Sequence, residues 1–306
     1  MASSLERARS KGFWLRSDKE SRIFHAWYPK RTGAKKKVRV ERVLSDLSRP
    51  LAFVPTMGAL HAGHQSLIKI AKEICDEVVI SVFVNPLQFE DKDDLAKYPK
   101  TPENDAQLAS EAGATLLWRP DVSDIYPGNE EKLSAGELGN KFEGASRPGH
   151  FDGVLTVVNR LFTLVKPKYA IFGEKDFQQL FLIKKMAAEL HPEIEIIAAP
   201  TIREVSGLAL SSRNVRLSPS GALTAQRISK ALRVAATQET LADMSAELAR
   251  LGEVANFKLD YAEIIDEDTF EIATPNALKP RAIVAGWIDG VRLIDNMAMA
   301  RTLVRA

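Results

Sequence analysis

A doubly wound parallel α/β domain followed by a smaller C-terminal α+β domain is the architecture that this 306-residue chain predicts, on three observations. From Leu51 to Ala198, short apolar, β-branched runs alternate with helical patterns, which is how successive βαβ units read. Val78 to Val84 is nearly continuous in apolar residues, as a central strand covered on both faces must be. After Pro200, strand patterns follow one another without crossover helices, which implies an antiparallel sheet. The expected division is a basic, partly disordered N-terminal arm over residues 1–42, the main α/β domain over 43–201, and the smaller domain over 202–306.

In chain order, Met1 to Arg42 shows little periodicity, and its charge run ends in Lys35-Lys36-Lys37. Val38 to Leu47 is expected as a first helix. Leu51 to Val54 reads as a buried strand that Pro55 stops, because proline has no N–H to give to a ladder. Gln65 to Glu73 is a helix with Leu67, Ile70, Ala71 and Ile74 on one face. The strand from Val78 ends at Asn85-Pro86, with Gln88 and Phe89 just beyond. Asn104 to Ala112 reads as helix and Thr115 to Trp118 as strand. Residues 119–148, rich in Pro, Gly and charge, read as a long loop with short elements, and loops of that length inside a domain are often functional lids. Asp152 to Val165 carries Leu155, Val158, Phe162 and Val165 on one helical stripe. A strand at Tyr169 to Phe172, a helix from Phe177 to Leu190 and a strand at Ile194 to Ala198 complete the alternation. Ser218-Pro219 has the N-cap and first-turn residues of a helix start, and two helices run to Gly252. Phe257 to Ile265, Ala282 to Ile288 and Val291 to Ile294 read as strands, the last two joined through Asp289-Gly290, a hairpin signal.

The formal net charge of +2 hides an asymmetry. Residues 1–42 hold 13 Lys/Arg against 4 Asp/Glu, and the rest of the chain holds 29 against 36. An acidic body argues against a broad nucleic-acid surface. No apolar run approaches the roughly 18 to 20 residues that span a bilayer. A targeting peptide is poorly supported: the arm lacks the apolar core of a secretory signal, and Glu6, Asp18 and Glu20 are unusual in an organellar one. The single cysteine, Cys75, excludes an internal disulfide or a cysteine-cluster metal site, and a cytoplasmic protein is expected.

Four clusters stand where a doubly wound sheet collects its ligands. The first is Pro55-Thr56-Met57-Gly58-Ala59-Leu60-His61-Ala62-Gly63-His64. Strand, glycine turn and helix place the free N–H groups of the helix start towards a phosphate. His61 and His64, three apart, can face the same group, donating ring N–H bonds or carrying charge. By spacing alone, an ordinary turn with two satisfied histidines reads equally well. The others are Asn85 with Gln88, Gly173-Glu174-Lys175-Asp176 with Gln179, and Ser211-Ser212-Arg213. Each could be a plain polar loop. Read together, Lys175, Arg213 and the histidines suit a polyphosphate, and Asn85, Gln88 and Gln179 suit hydroxyls and a carboxylate.

His61-Ala62-Gly63-His64 resembles the H-x-G-H signature of the nucleotidylyl-transferase superfamily, whose domain is Rossmann-like. The resemblance extends from Leu51 to Ile294. It includes Ser81-Val82-Phe83-Val84-Asn85-Pro86-x-Gln88-Phe89, Tyr98-Pro99-x-Thr101, and Arg147-Pro148-x-His150-Phe151-x-Gly153-Val154. It continues in Phe172-Gly173-Glu174-Lys175-Asp176-Phe177-Gln178-Gln179 and Leu210-Ser211-Ser212-Arg213-Asn214. In this order these motifs are similar to those of the pantothenate synthetase family.

That resemblance implies an ATP-dependent condensation of pantoate with β-alanine through a pantoyl-adenylate, releasing AMP and pyrophosphate. It places Pro55 to His64 against ATP, with His64 and His61 catalytic alongside Lys175 and Arg213. Gly173 to Asp176 and Ile202 would contact the nucleoside, and Leu210 to Arg213 would form a second phosphate loop. Gln88 and Gln179, with Asn85, Arg147 and His150, would hold pantoate or β-alanine. Mg²⁺ would ride on the ATP phosphates without a dedicated cage, and a homodimer is implied. Leu210 stands where methionine is common, and Phe177 where tyrosine is common. Two other readings stay open: a different nucleotidylyl transferase of the same fold, and a non-catalytic module whose basic arm recruits nucleic acid.

Overall fold

The structure, a computed structural model, describes residues 38–89, 95–96 and 98–299. Six strands form one parallel sheet: β1 (Arg39–Glu41), β2 (Leu51–Thr56), β3 (Glu77–Val82), β4 (Leu116–Trp118), β5 (Tyr169–Gly173) and β6 (Glu195–Ala199). Their order is β1-β4-β3-β2-β5-β6. From β2 the chain builds outward through β3 to β4, then crosses to β5 and β6 on the other side. The winding therefore reverses between β2 and β5, and a crevice opens there at the carboxyl ends. Pairing widens it: β2 is in register with β3 from Leu51 to Thr56, but with β5 only through Ala52 and Phe53.

The strands alternate faces, so β2 feeds two cores. Leu51 and Phe53 pack with the helices α4 (His150–Val165) and α5 (Phe177–Leu190). Ala52 and Val54 pack instead with α1 (Ala62–Ile74) and α2 (Pro102–Ala112). Ile80, Leu116, Leu117 and Ile171 are fully buried, which is why these strands read as continuous apolar runs.

The expected helix over Val38–Leu47 does not form. Arg39–Glu41, assigned to the arm, is the edge strand β1 and pairs with Leu116–Trp118, and residues 42–50 carry no regular element. Sheet pairing at an open edge outweighs a weak helical pattern here. Residues 1–37 of the arm lie outside the described residues. The stretch 119–148 is the expected long loop with short elements. It contains the short helix α3 (Val122–Ile125) and a 3₁₀ turn at Glu137–Asn140. Gln178 fastens it, donating from Nε2 to the carbonyls of Leu138 and Lys141 and accepting from Glu143 N.

The second sheet is antiparallel, in the order β7 (Lys258–Asp266), β8 (Pro280–Ile288), β9 (Val291–Ala298). Helices α6 (Pro219–Ala235) and α7 (Leu241–Ala249) pack on it around Ile228, Leu232, Met244 and Val284. Asp289 and Gly290 both have positive φ, 52° and 73°, as a type I′ hairpin turn requires. Asp289 also accepts from Ser218 N and Oγ at 2.9 and 2.7 Å, tying the hairpin to the N-cap of α6. No described helix is long and apolar enough to cross a membrane.

Candidate active site

The turn between β2 and α1 is built by two glycines with separate reasons. Gly58 has φ +87°, and a Cβ there would press on Val82 and Asp105. Gly63 lets the His61 ring fold back: a Cβ at that position would lie 2.8 Å from the ring. His61 thereby caps its own helix, its Nδ1 accepting from Gly63 N at 3.1 Å, while His64 Nδ1 accepts from His61 N at 3.3 Å. The glycine in H-x-G-H is thus the space for the first histidine. Since both Nδ1 atoms accept backbone hydrogens, each neutral ring carries its proton on Nε2. Burial first, then His61 and Lys175, draws the His64 pKa down to about 3; burial and Lys175 lower that of His61. Of the two modes read from the spacing, neutral N–H donation is the one the free protein adopts.

Asp105, in the first turn of α2, holds this turn from below. Its buried carboxylate accepts from Leu60 N at 2.8 Å and from Thr101 Oγ1 at 2.9 Å. Sequence reasoning missed it, because an acid in the first turn of a helix already has a local explanation in the helix dipole. Thr56 Oγ1 donates to Ser81 O, and Gly58 N donates to Thr56 Oγ1, so β3 supports the other side.

Asn85 is buried, with its hydrogen-bonding groups committed. Oδ1 accepts from Tyr126 Oη at 2.7 Å and Leu87 N at 3.2 Å, and Nδ2 donates to Gln88 Oε1 and Gly153 O at 3.0 Å each. The Gln88 amide is thereby oriented with its NH₂ outward, against Met57 Sδ at 3.1 Å. Burial, then Glu130, raises the Tyr126 pKa, which keeps the phenol a donor. His150 Nδ1 and Arg147 both reach Gln88 O, at 3.1 and 3.4 Å, and Arg147 Nη1 lies 2.9 Å from His150 Nε2. A carbonyl can only accept, so His150 is protonated on Nδ1 and its Nε2 accepts from Arg147. Burial, then Arg147, takes the His150 pKa to about 3, and burial, then Arg213, takes that of Arg147 to about 10.

Arg147, His150, Lys175, Asp176 and Gln179 line a cleft of about 430 Å³. Lys175 also lines a neighbouring hollow of about 330 Å³ with Ser211 and Arg213. Desolvation pushes the Asp176 carboxyl up, but Lys175, Arg213 and Arg147 outweigh it and hold it below its ordinary value. A Cβ on Gly173 would meet no protein atom, leaving the backbone there open to a ligand. Ser211 Oγ accepts from Arg213 N at 3.2 Å, and Leu210 N donates to Ile202 O at 2.9 Å, which joins Ile202 to the loop. Ser212 and Ile202 are half-buried and line neither hollow. Phe177 packs under Arg281, 4.0 Å from guanidinium to ring centre, and stacks on Phe270. Among the described residues no cluster of three His, Cys, Asp or Glu could hold a metal ion. The Cys75 thiol is buried at the end of α1 and pushed up by that burial.

Comparison with known proteins identifies the family of the chain. The family model described as pantoate-beta-alanine ligase matches residues 31–298. A pantothenate synthetase of Rhizorhabdus wittichii is 46% identical over 256 residues, covering 82% of this chain and 91% of the relative. The crystal structure of pantothenate synthetase from Thermus thermophilus superposes with a TM-score of 0.80 at 41% identity, over 85% of this chain and 99% of that one. Pantoate-beta-alanine ligase from Francisella tularensis, solved in complex with beta-gamma ATP and beta-alanine, gives a TM-score of 0.68 at 36% identity, over 85% and 97%. With the match running through both sheets and through every motif at the crevice, the chain belongs to the pantoate-beta-alanine ligase family.

Proposed function

We propose that this chain joins pantoate to β-alanine with ATP by way of an enzyme-bound pantoyl-adenylate. Membership of the family makes it a ligase that forms an amide bond. The observation that carries the site assignment is the reversal of the sheet winding between β2 and β5. Supporting it, Lys175 lines a hollow with Ser211 and Arg213 and is close enough to lower the pKa of both His61 and His64.

A carboxylate oxygen of pantoate attacks the α-phosphorus, the bond to the β-phosphate oxygen breaks, and pyrophosphate leaves. Negative charge builds on the phosphates, where the two imidazole N–H groups, Lys175, Arg213 and the N-terminal amides of α1 can meet it. The amine of β-alanine then attacks the acyl carbon, loses a proton, and AMP departs. Neither step needs a protein nucleophile, consistent with a lone cysteine that is buried. Gln88, presenting its NH₂, and Gln179 would bind pantoate, with Asn85, Arg147 and His150 acting behind Gln88. Pro55 to His64, Gly173 to Asp176 and Ile202 would receive the nucleotide, and Leu210 to Arg213 its phosphates. Mg²⁺ on the phosphates would add charge neutralisation, and the donor set fits that arrangement better than a protein cage, since among the described residues no three His, Cys, Asp or Glu side chains converge. In this reading residues 43–201 form the catalytic domain and 202–306 cover the cleft, excluding water from the adenylate. A cytoplasmic homodimer completes it, and light scattering tests the dimer.

The test of the reaction is pyrophosphate release with ATP and Mg²⁺. Stoichiometric release with pantoate, turning into steady turnover when β-alanine is added, is expected. Folded protein that shows no pantoate-dependent release would overturn the proposal.

A further inference from the structure

We infer that the adjacent residues Asp295 and Asn296 of β9 form a strap that holds two phosphate-facing segments, Glu174–Asp176 and Leu210–Arg213, in register with each other. The inference rests on the adenylation reading of that site and adds positioning residues to it. Neighbouring residues on a strand point to opposite faces, so one strand can reach both segments.

On one side, Asn296 Nδ2 donates to the carbonyls of Glu174 and Lys175 at 2.8 and 2.9 Å. Its orientation is forced. Arg281 Nη1 donates to Asn296 Oδ1 at 2.6 Å, and a guanidinium has no acceptor, so the amide must turn its NH₂ towards the turn. Arg281 is itself set by Glu267, 2.6 Å from its Nε, and lies over the Phe177 ring. The backbone that carries Lys175 is thus pinned two residues deep by β8 and β9.

On the other side, Asp295 takes both ends of the Arg203 guanidinium, at 2.6 and 2.8 Å, a bidentate pair. Arg203 also donates to Gly207 O at 3.1 Å and to Asn296 O at 3.2 Å. Arg203 bridges to Ala209, and Leu210 N donates to Ile202 O, so this pair fixes the narrow hairpin from which Ser211–Arg213 emerges. Asp295 Oδ1 further accepts from Asn296 N at 2.8 Å, locking the two halves together. Both residues are almost wholly buried, and both side chains are spent on the two segments. That is more than the packing of β9 in its sheet requires.

The test is pantoate-dependent pyrophosphate release by Asn296→Asp, with ATP and pantoate varied separately. Aspartate keeps the size and the acceptor for Arg281 and removes both donors to the turn. A displaced Lys175 should lower kcat/KM for ATP roughly 10- to 100-fold, with KM for pantoate unchanged. Asn296→Ala should do the same, and Arg203→Lys, which loses the bidentate geometry, should raise KM for ATP from the other side. A cooperative unfolding transition establishes that each variant is folded, and a merely structural role would not separate ATP from pantoate. Folded Asn296 variants with unaltered ATP dependence overturn the strap. Lys175→Ala, run alongside, separates the two failures: if it abolishes release, only the strap falls, and if it leaves release intact, the site reading falls with it.

Discussion

The histidines at the start of α1 and the histidine at the start of α4 are the same side chain wired in opposite senses. His61 and His64 accept backbone hydrogens on Nδ1 and so point a proton outward from Nε2. His150 gives its Nδ1 proton to Gln88 O and spends Nε2 on Arg147. The first pair is left able to serve a ligand, and the third is consumed in holding a loop. Residue type and motif membership do not separate the two roles. Which backbone group lies beside each ring does.

What the two regions share is neutrality, and acid should remove it. Both His64 and His150 have pKa values of about 3 in the fold against about 6.5 unfolded. The unfolded chain therefore binds more protons between those limits, so stability is complete above about pH 6.5 and falls as pH drops towards 3. At about 1.4 kcal/mol per unit and ring, the two cost about 4 kcal/mol by pH 5. Denaturant melts at pH 7 and pH 5 measure this, and equal midpoints would refute it.

The difference between the regions is broken most sharply at His64. Replacing it by Ala should lower pantoate-dependent pyrophosphate release by about 10²- to 10³-fold, the usual cost of one transition-state donor, in protein that still unfolds cooperatively. Asp105→Ala acts one layer further back. It strips the acceptor from Leu60 N and Thr101 Oγ1, and leaving buried donors unpaired should destabilise by about 1–3 kcal/mol, read by denaturant titration. His150→Ala should be the mildest in rate. Gln88 loses a backbone anchor but keeps Asn85, so KM for pantoate should rise roughly tenfold, about one hydrogen bond's worth, with KM for ATP unchanged. A tenfold loss confined to ATP would reverse the assignment. The comparison is sharpened without any mutation by ¹⁵N NMR, where Nε2 should be protonated in His61 and His64 and Nδ1 in His150.

Much of the fold was legible because the signals are local. The apolar run at Val78 and the stripe on Asp152–Val165 lie within a residue or two of β3 and α4, since burial on two faces or on one stripe leaves its period in the chain. Asp289-Gly290 forms the turn its residues require. The helix expected over Val38–Leu47 failed because an edge strand takes its stability from a partner 77 residues away, at Leu116–Trp118. The candidate site residues in the motifs stood out through their spacing and their resemblance. Asp105, Tyr126, Asp295 and Asn296 were not, because an acid in a first helical turn, a loop tyrosine and two polar residues in a strand each have an ordinary local explanation.

By itself the sequence determined the alternation of strands and helices, the second antiparallel sheet and the clusters that converge where the winding turns. These follow from periodicity, from proline and glycine geometry, and from rules of chain connection that need no partner. Only the tertiary structure decided which nitrogen of each histidine holds the proton, which way the Gln88 amide is turned, and which strand bonds to the turn that carries Lys175. Those are properties of hydrogen bonds between residues far apart in the chain, and they exist only once a buried donor has to find its acceptor.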